Sequence, residues 1–315
     1  MLKKYIIIFV LLLLLSSCSN STDKGNIKKV GLLVPETIND QVWGTKGYKG
    51  LLLIQNEFDV DVFYREGMNS ESAVDHAIKE LKQKGVNLIF GNGDVYSDIF
   101  NKIATKYPTI HFVSFNGDAK QKNTTSIKFE GHAMGFFGGM TAAHMSKNKN
   151  IGIVGAYSWQ PEIKGFVEGA KFENLNTDVK ILYTENWDDQ EKAIILLQKL
   201  IDEGIDVVYP AGDGFNVPVI EKVKEKGLYA IGFVSDQSDL GKNTVLTSTV
   251  QLVSKLYDLV AKKFANGTLQ SGNLSVDFQD GVIEMGKYSP LVDKEFRTKI
   301  DHYVEEYEKT GKLPK

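Results

Sequence analysis

A single cysteine, Cys18, occurs in the 315 residues, so no intramolecular disulfide can form. Long apolar runs are equally scarce. The one that stands out, residues 5–15, is well short of the roughly 20 residues that a helix needs to cross a bilayer. With Lys3 and Lys4 before it and Leu15-Ser16-Ser17-Cys18 after it, that run has the layout of a secretory signal rather than a spanning helix. Clustered basic residues are missing too. The formal charge is −3, and it becomes −5 once residues 1–17 are removed with Lys3 and Lys4, so there is no electrostatic footprint for direct nucleic-acid binding. No GxSxG elbow and no Walker A sequence occurs, and Gly91-Asn92-Gly93-Asp94-Val95-Tyr96 lacks the Lys-Ser/Thr that would engage phosphate and metal. The five histidines, His76, His111, His132, His144 and His302, show no HExxH or paired ligand spacing. This inventory speaks against an enzyme and implies no cofactor and no metal.

What is present is a duplication. Residues 84–115 read again as residues 203–235, with Gly93-Asp94 falling on Gly212-Asp213 and Ile110 on Tyr229, a separation of 119 residues in both cases. Upstream, residues 46–64 are answered by residues 164–183. A period this long marks a duplicated domain, because stacked solenoid repeats run to tens of residues. Two similar lobes imply a cleft between them, where small ligands usually sit.

Short β-branched runs alternate with amphipathic stretches in both copies. Strands are expected at 30–35, 61–64, 87–91 and 111–115, with counterparts at 151–157, 180–183, 206–212 and 230–234. Continuous apolar strands separated by helices mean parallel sheets covered on both faces, wound with right-handed crossovers. The fold class expected is therefore α/β, with two Rossmann-like lobes. A tail adds strand candidates at 245–250 and 282–286 and helices near 253–264 and 293–307. The economical path takes the chain back to the first lobe and across once more, giving three hinge strands. That arrangement resembles the type I periplasmic binding proteins. The expected organisation is a signal at 1–17, an anchor and tether at 18–28, one lobe from 29–129 plus 237–280, and the other from 130–236 plus 281–315.

Ligands in open α/β sheets bind beyond the carboxyl ends of the strands. That rule selects Asn39, Asp40 and Trp43 after the first strand, Asp94 and Tyr96 after the third, and Asn116 after the fourth. In the second lobe it selects Trp159, Asp213, Phe215 and Asp236. Facing aromatics and carboxylates suit a flat heterocycle bearing hydroxyls, with Trp43 and Phe215 as the two sides of a stacking sandwich. Structural roles stay open beside these. Asp40, Asp94 and Asp213 are placed to cap helices, and Trp159 to pack a lobe.

Cys18, after small residues at the end of the apolar run, resembles the lipidated cysteine of a bacterial lipobox; the alternative is an ordinary secretory signal with a chance cysteine. The ordered runs NDQVWGTKGYKG, FEGHAMGFFGGMTAAHMSK, IGIVGAYSWQPEIKGFVEGAK, VYPAGDG, SDQSDLG and VLTSTV resemble the basic membrane protein family of lipoproteins, over nearly all of the chain after the signal. The best-known member of that family is the purine-nucleoside receptor of an ABC importer. The resemblance implies a small-molecule ligand, nucleoside-like, an ABC permease as partner, and attachment to the outer face of the cell membrane through Cys18. Longer runs, such as TINDQVWGTKGYKGL and VVYPAGDGFNVPVI, resemble a branch described as positive regulators of competence-gene expression, which implies a sensor acting indirectly. The chain departs from the family where the ligand matters. The position expected to hold the ribose diol with a carboxylate is Val234, and a lysine expected after VLTS corresponds to Gln251. Losing one charge-assisted hydrogen bond to a sugar costs about 1.5–3 kcal/mol, or roughly one to two decades of affinity.

Overall fold

The computed structural model describes residues 25–39 and 43–315. The expected signal, Cys18 and Asp40 lie outside the described residues. Twelve strands form two sheets among those residues. The first sheet is built from β1 (Val30–Leu33), β2 (Val62–Arg65), β3 (Leu88–Gly91), β4 (His111–Phe115), β5 (Thr124–Phe129) and β11 (Gly272–Val276), in the order β11-β5-β4-β3-β1-β2. The second contains β6 (Asn150–Gly155), β7 (Asp178–Tyr183), β8 (Val207–Ala211), β9 (Tyr229–Val234), β10 (Val245–Gln251) and β12 (Ile283–Met285), in the order β12-β10-β9-β8-β6-β7. All pairings are parallel except β10 with β12. The duplication thus reappears as two sheets of one topology, each with its first strand flanked by its second and third.

Helices cover both faces of each sheet. On the first sheet, α1 (Trp43–Phe58) lies on one face, and α2 (Glu71–Gln83) and α3 (Val95–Ile103) on the other. The sequence of α2 makes it a helix for local reasons: the Ser70 hydroxyl accepts the Ala73 amide at its start, and Val74, Ala77, Ile78 and Leu81 form one buried stripe. On the second sheet, α4 (His132–Met145) and α5 (Pro161–Glu173) form one layer, and α6 (Gln190–Asp202) and α7 (Asn216–Glu225) the other. The crossing of α4 and α5 is unusually close because glycines face backbone: a Cβ at Gly135 or Gly139 would overlap the carbonyl oxygen of Glu162 or Phe166, and one at Gly165 or Gly169 that of His132 or Phe136.

The chain passes between lobes three times among the described residues, after β5, between β10 and α8 (Val253–Ala265), and between β11 and β12; α9 (Lys294–Thr310) then packs on the second lobe. The passages are tied together, Glu130 N donating to Val276 O and Leu252 N to Val282 O, both at 2.8 Å. Two expectations are corrected here. Val245–Gln251, expected in the first lobe with 237–280, pairs in parallel with β9, with one shift of register between Val245 and Thr247. It is the second copy's fifth strand, as β5 is the first copy's, and leaving the sheet would unpair one edge of β9. Residues 26–28, expected in the tether, are docked: Ile27 is buried, and the Asn87 side chain accepts from Lys28 N (2.9 Å) and donates to Asn26 O (2.7 Å).

Candidate functional site

In each sheet the strand order reverses beside the first strand, and the loops leaving the first and third strands flank a crevice. These loops meet across the lobes. Trp43, the first residue of α1, donates its indole N–H to Asp213 Oδ2 at 2.9 Å, joining the loop after β1 to the loop after β8. The indole is half-buried and leans on Phe115 (centroids 5.8 Å apart) and edge-on against Phe129 (6.4 Å). The loop carrying Asp213 is held by a buried amide pair. Asn216 Nδ2 donates to the carbonyls of Gly212 (2.9 Å) and Asp213 (3.0 Å), while its Oδ1 accepts from Gln237 Nε2 (2.6 Å). Gln237 in turn accepts from Phe233 N (2.8 Å), so the loops after β8 and β9 are positioned as one unit.

A buried carboxylate stands behind this unit. Gln160 donates from Nε2 to Glu162 Oε1 (2.8 Å) and to the Ala211 carbonyl (3.1 Å), and its Oε1 accepts from Tyr157 N (2.8 Å). Burial pushes the Glu162 carboxyl above its ordinary range; the Gln160 bond opposes the shift, and the neighbouring charges of Asp213 and Glu130 add to it. Trp159 lies on the outside of the same loop, 66 % exposed, and stacks on Tyr157 (5.5 Å, 17°). Trp187 meets both rings edge-on, and its carbonyl accepts from Gly214 N (3.0 Å), next to Asp213. Together, Trp43 and the rim formed by Tyr157, Trp159 and Trp187 offer flat apolar surface, and Asp213 offers an acceptor for N–H or O–H donors. Among the described residues no group of three His, Cys, Asp or Glu side chains is arranged to hold a metal ion, and no helix is long and apolar enough to cross a membrane.

Of the residues selected from sequence, Trp43 and Asp213 are brought together. Asn39 is exposed after β1, its amide on Thr37 Oγ1. Asn116 is exposed after β4 with a left-handed backbone (φ 59°). Asp94 caps α3, accepting from Val95 N at 2.8 Å, which is its structural alternative realised. Asp236 accepts from Ser238 N (3.1 Å) and lies 3.9 Å from Lys287, on the side of β12. Tyr96 and Phe215 are corrections. Both are fully buried, and a Cβ at Gly91 would overlap the ring of Tyr96, as one at Gly212 would overlap that of Phe215. The Tyr96 hydroxyl is spent on Met68 O (2.9 Å). They occupy one position of the repeat, two residues after the Gly-Asp turn, and in both copies that ring pins the following helix to the core. Trp159 stays at the surface of its lobe, against Tyr157 and Trp187. Trp187 was not selected, although it follows the β7 run and obeys the same strand-end rule.

Val234, where the family resemblance expects a carboxylate, has φ 63° and is buried. The left-handed region is costly for a β-branched residue, about 1–3 kcal/mol, and is entered more readily by Asp. Gln251 ends β10, paired with Ile283.

Comparison with known proteins agrees with this geometry. Residues 27–315 match the family model Bmp, described as ABC transporter substrate-binding protein PnrA-like. The chain is 54% identical over 315 residues to the transcriptional activator protein med of Bacillus subtilis (strain 168), covering 100% of this chain and 99% of that protein. A purine-binding protein of Brucella abortus (strain 2308) is 26% identical, over 74% of this chain and 67% of its own length. Among solved structures, a transcriptional activator of the comK gene from Bacillus halodurans superposes with a TM-score of 0.87 at 50% identity, covering 91% of this chain and 100% of that one. The two-lobed α/β fold is also that of an ABC transporter solute-binding protein from Conexibacter woesei (TM-score 0.72, 17% identity, 91% and 98% covered). A match over both lobes, with the two facing crevices in place, makes this chain a member of the Bmp family of PnrA-like ABC transporter substrate-binding proteins.

Proposed function

We propose that the chain is a lipid-anchored, extracytoplasmic binding protein that closes its two lobes on a small nucleoside-like heterocycle and presents it to an ABC permease. The observation that carries this proposal is the Trp43–Asp213 pair, an aromatic face from one lobe and a carboxylate from the other at the facing strand ends. A purine ring laid on Trp43 would direct its N–H edge toward Asp213 of the second lobe, and the Tyr157-Trp159-Trp187 rim would cover the outer side. The purine-binding relative supports the ligand class. Val234 and Gln251 remove two expected contacts to the sugar, so recognition falls on the base.

The test is calorimetric titration with adenosine, guanosine, inosine and uridine, accompanied by small-angle scattering, because hinge closure compacts the pair of lobes. A purine nucleoside should bind more tightly than uridine and reduce the radius of gyration. If none of the four binds and the scattering is unchanged, the nucleoside assignment fails.

A second function is favoured by a different observation, the 54% identity to a protein named as a transcriptional activator. The acidic chain has no basic arm for DNA, so such an effect would be indirect, through the bound ligand or a membrane partner. Deleting the gene separates the two: lost uptake of labelled nucleoside marks an importer receptor, and altered competence-gene expression with normal uptake marks a sensor.

A further inference from the structure

A shallow groove of about 440 Å3 lies on the outer edge of the second lobe, lined by Lys287, Tyr288, Lys294, Arg297, Thr298 and Asp301. Its walls come from the turn after β12 and the first two turns of α9, so it shares no residue with the inter-lobe site. Three cationic side chains line it against one carboxylate, in a chain whose formal charge is −3. Lys294 and Arg297 stand in the first turn of α9, where the helix dipole disfavours cations. Asp293 at the N-cap, Glu295 and Asp301, whose charge acts on Arg297, offset this in part. Among the described residues Arg297 makes no ion pair, and its Nε is buried with no hydrogen-bond partner. The buried Tyr288 hydroxyl lies beside that of Thr141, which donates to Phe137 O (3.0 Å) and keeps lone pairs that can accept from the phenol. Thr298 is occupied with Lys294 O, and Lys287 lies 3.9 Å from Asp236.

A buried donor without an acceptor, here Arg297 Nε, is rare in folded proteins and calls for a partner from outside the chain. A guanidinium, a phenol and two ammonium groups form a set of donors and positive charge that fits a tetrahedral oxyanion better than a planar carboxylate. We propose that this groove is a binding site for a phosphate group, held by Arg297 and Tyr288 at its base and by Lys287 and Lys294 at its rim. The phosphate has two sources, a soluble phosphate-bearing metabolite or the anionic headgroup of a membrane lipid.

The test uses the chain from Gly25 onward, which carries both sheets and no anchor. It is titrated with inorganic phosphate and glycerol 3-phosphate by calorimetry at low ionic strength. In parallel it is floated with vesicles of phosphatidylglycerol in phosphatidylcholine and of phosphatidylcholine alone. Arg297→Gln and Lys294→Gln should each weaken binding by about tenfold or more, as expected for loss of a charge-assisted bond. Phosphate binding that both variants lose identifies a soluble anion; retention on phosphatidylglycerol vesicles alone, lost in both variants, identifies the headgroup. Absence of binding in both arms, or binding that the variants leave unchanged, overturns the proposal. Should Arg297→Gln fail to fold, exposed Lys294→Gln decides. Because no nucleoside enters the experiment, its outcome is independent of the function proposed for the cleft.

Discussion

Gly138 and Gly139 are adjacent in α4, and the same substitution at each should have opposite consequences. A Cβ at Gly139 falls 2.0 Å from the Phe166 carbonyl oxygen, about 1 Å inside the 3.0 Å that real Cβ atoms respect, and 2.9 Å from the Ala170 nitrogen, both backbone atoms. No rotamer change relieves a backbone overlap, so α4 and α5 must separate and disturb packing along their length. Overpacking of this kind costs about 1–3 kcal/mol, occasionally more, against a helix-propensity gain of about 1 kcal/mol for Gly→Ala. The added loss of close Cα–H···O contacts along the crossing puts the net for Gly139→Ala near 2–3 kcal/mol, or a melting point lower by roughly 5–10 °C. At Gly138 the nearest atoms are the Thr249 methyl at 3.2 Å and the Ile231 methyl at 3.4 Å, both side chains able to yield by tenths of an ångström. Gly138→Ala should therefore melt within about 2 °C of the parent or slightly above it, since propensity offsets the squeeze. Thermal unfolding followed by circular dichroism, with both variants at one concentration and pH, is sufficient. Equal melting points for the two variants would refute the claim that backbone approach dictates the glycines of this crossing.

Other outcomes follow from the site. Trp43→Ala should weaken a purine nucleoside by roughly ten- to a hundredfold, the worth of stacking on one ring, with a small change in melting point. Phe215→Ala, by contrast, should lose about 3–5 kcal/mol of stability because the ring is wholly buried; calorimetry and denaturant unfolding on both variants separate the roles, and a stable Phe215→Ala that fails only in binding would contradict the buried assignment. Burial raises the Glu162 carboxyl from its ordinary value of 4.5, so its favourable contribution is complete below that value and is lost as pH rises through the folded one. Glu162→Gln should then be more stable than the parent at neutral pH, with the difference vanishing toward pH 4.5; a constant difference across that range would show that Glu162 does not titrate with folding. Cys18→Ser should abolish fatty-acid labelling and release the protein from the membrane fraction, and firm retention would remove the lipid anchor from the proposed function.

The duplication was legible in sequence because it is carried by spacing. A separation of 119 residues placed β3 on β8 and the Gly-Asp turns on each other, and continuous apolar runs could only be strands covered on both faces. Strand ends then pointed to Trp43 and Asp213, since a loop leaving a parallel strand must emerge on the ligand side. Spacing does not say which way a side chain turns after the loop. Two residues beyond the Gly-Asp turn, Tyr96 and Phe215 have rotated about the new helix axis from crevice to core, while Asp94 became a cap and its counterpart Asp213 reached the other lobe. Sheet membership of Val245–Gln251 was settled by pairing with β9, a contact between segments that sequence order leaves undetermined. The same holds for the rim: Trp187 follows β7 and meets Tyr157 and Trp159, which follow β6, only because those two strands lie side by side. Local chemistry along the chain determined the strands, caps and turns. Which residues face each other across the lobes was decided by the three-dimensional packing of the two sheets, because that requires the relative rotation of elements far apart in the chain.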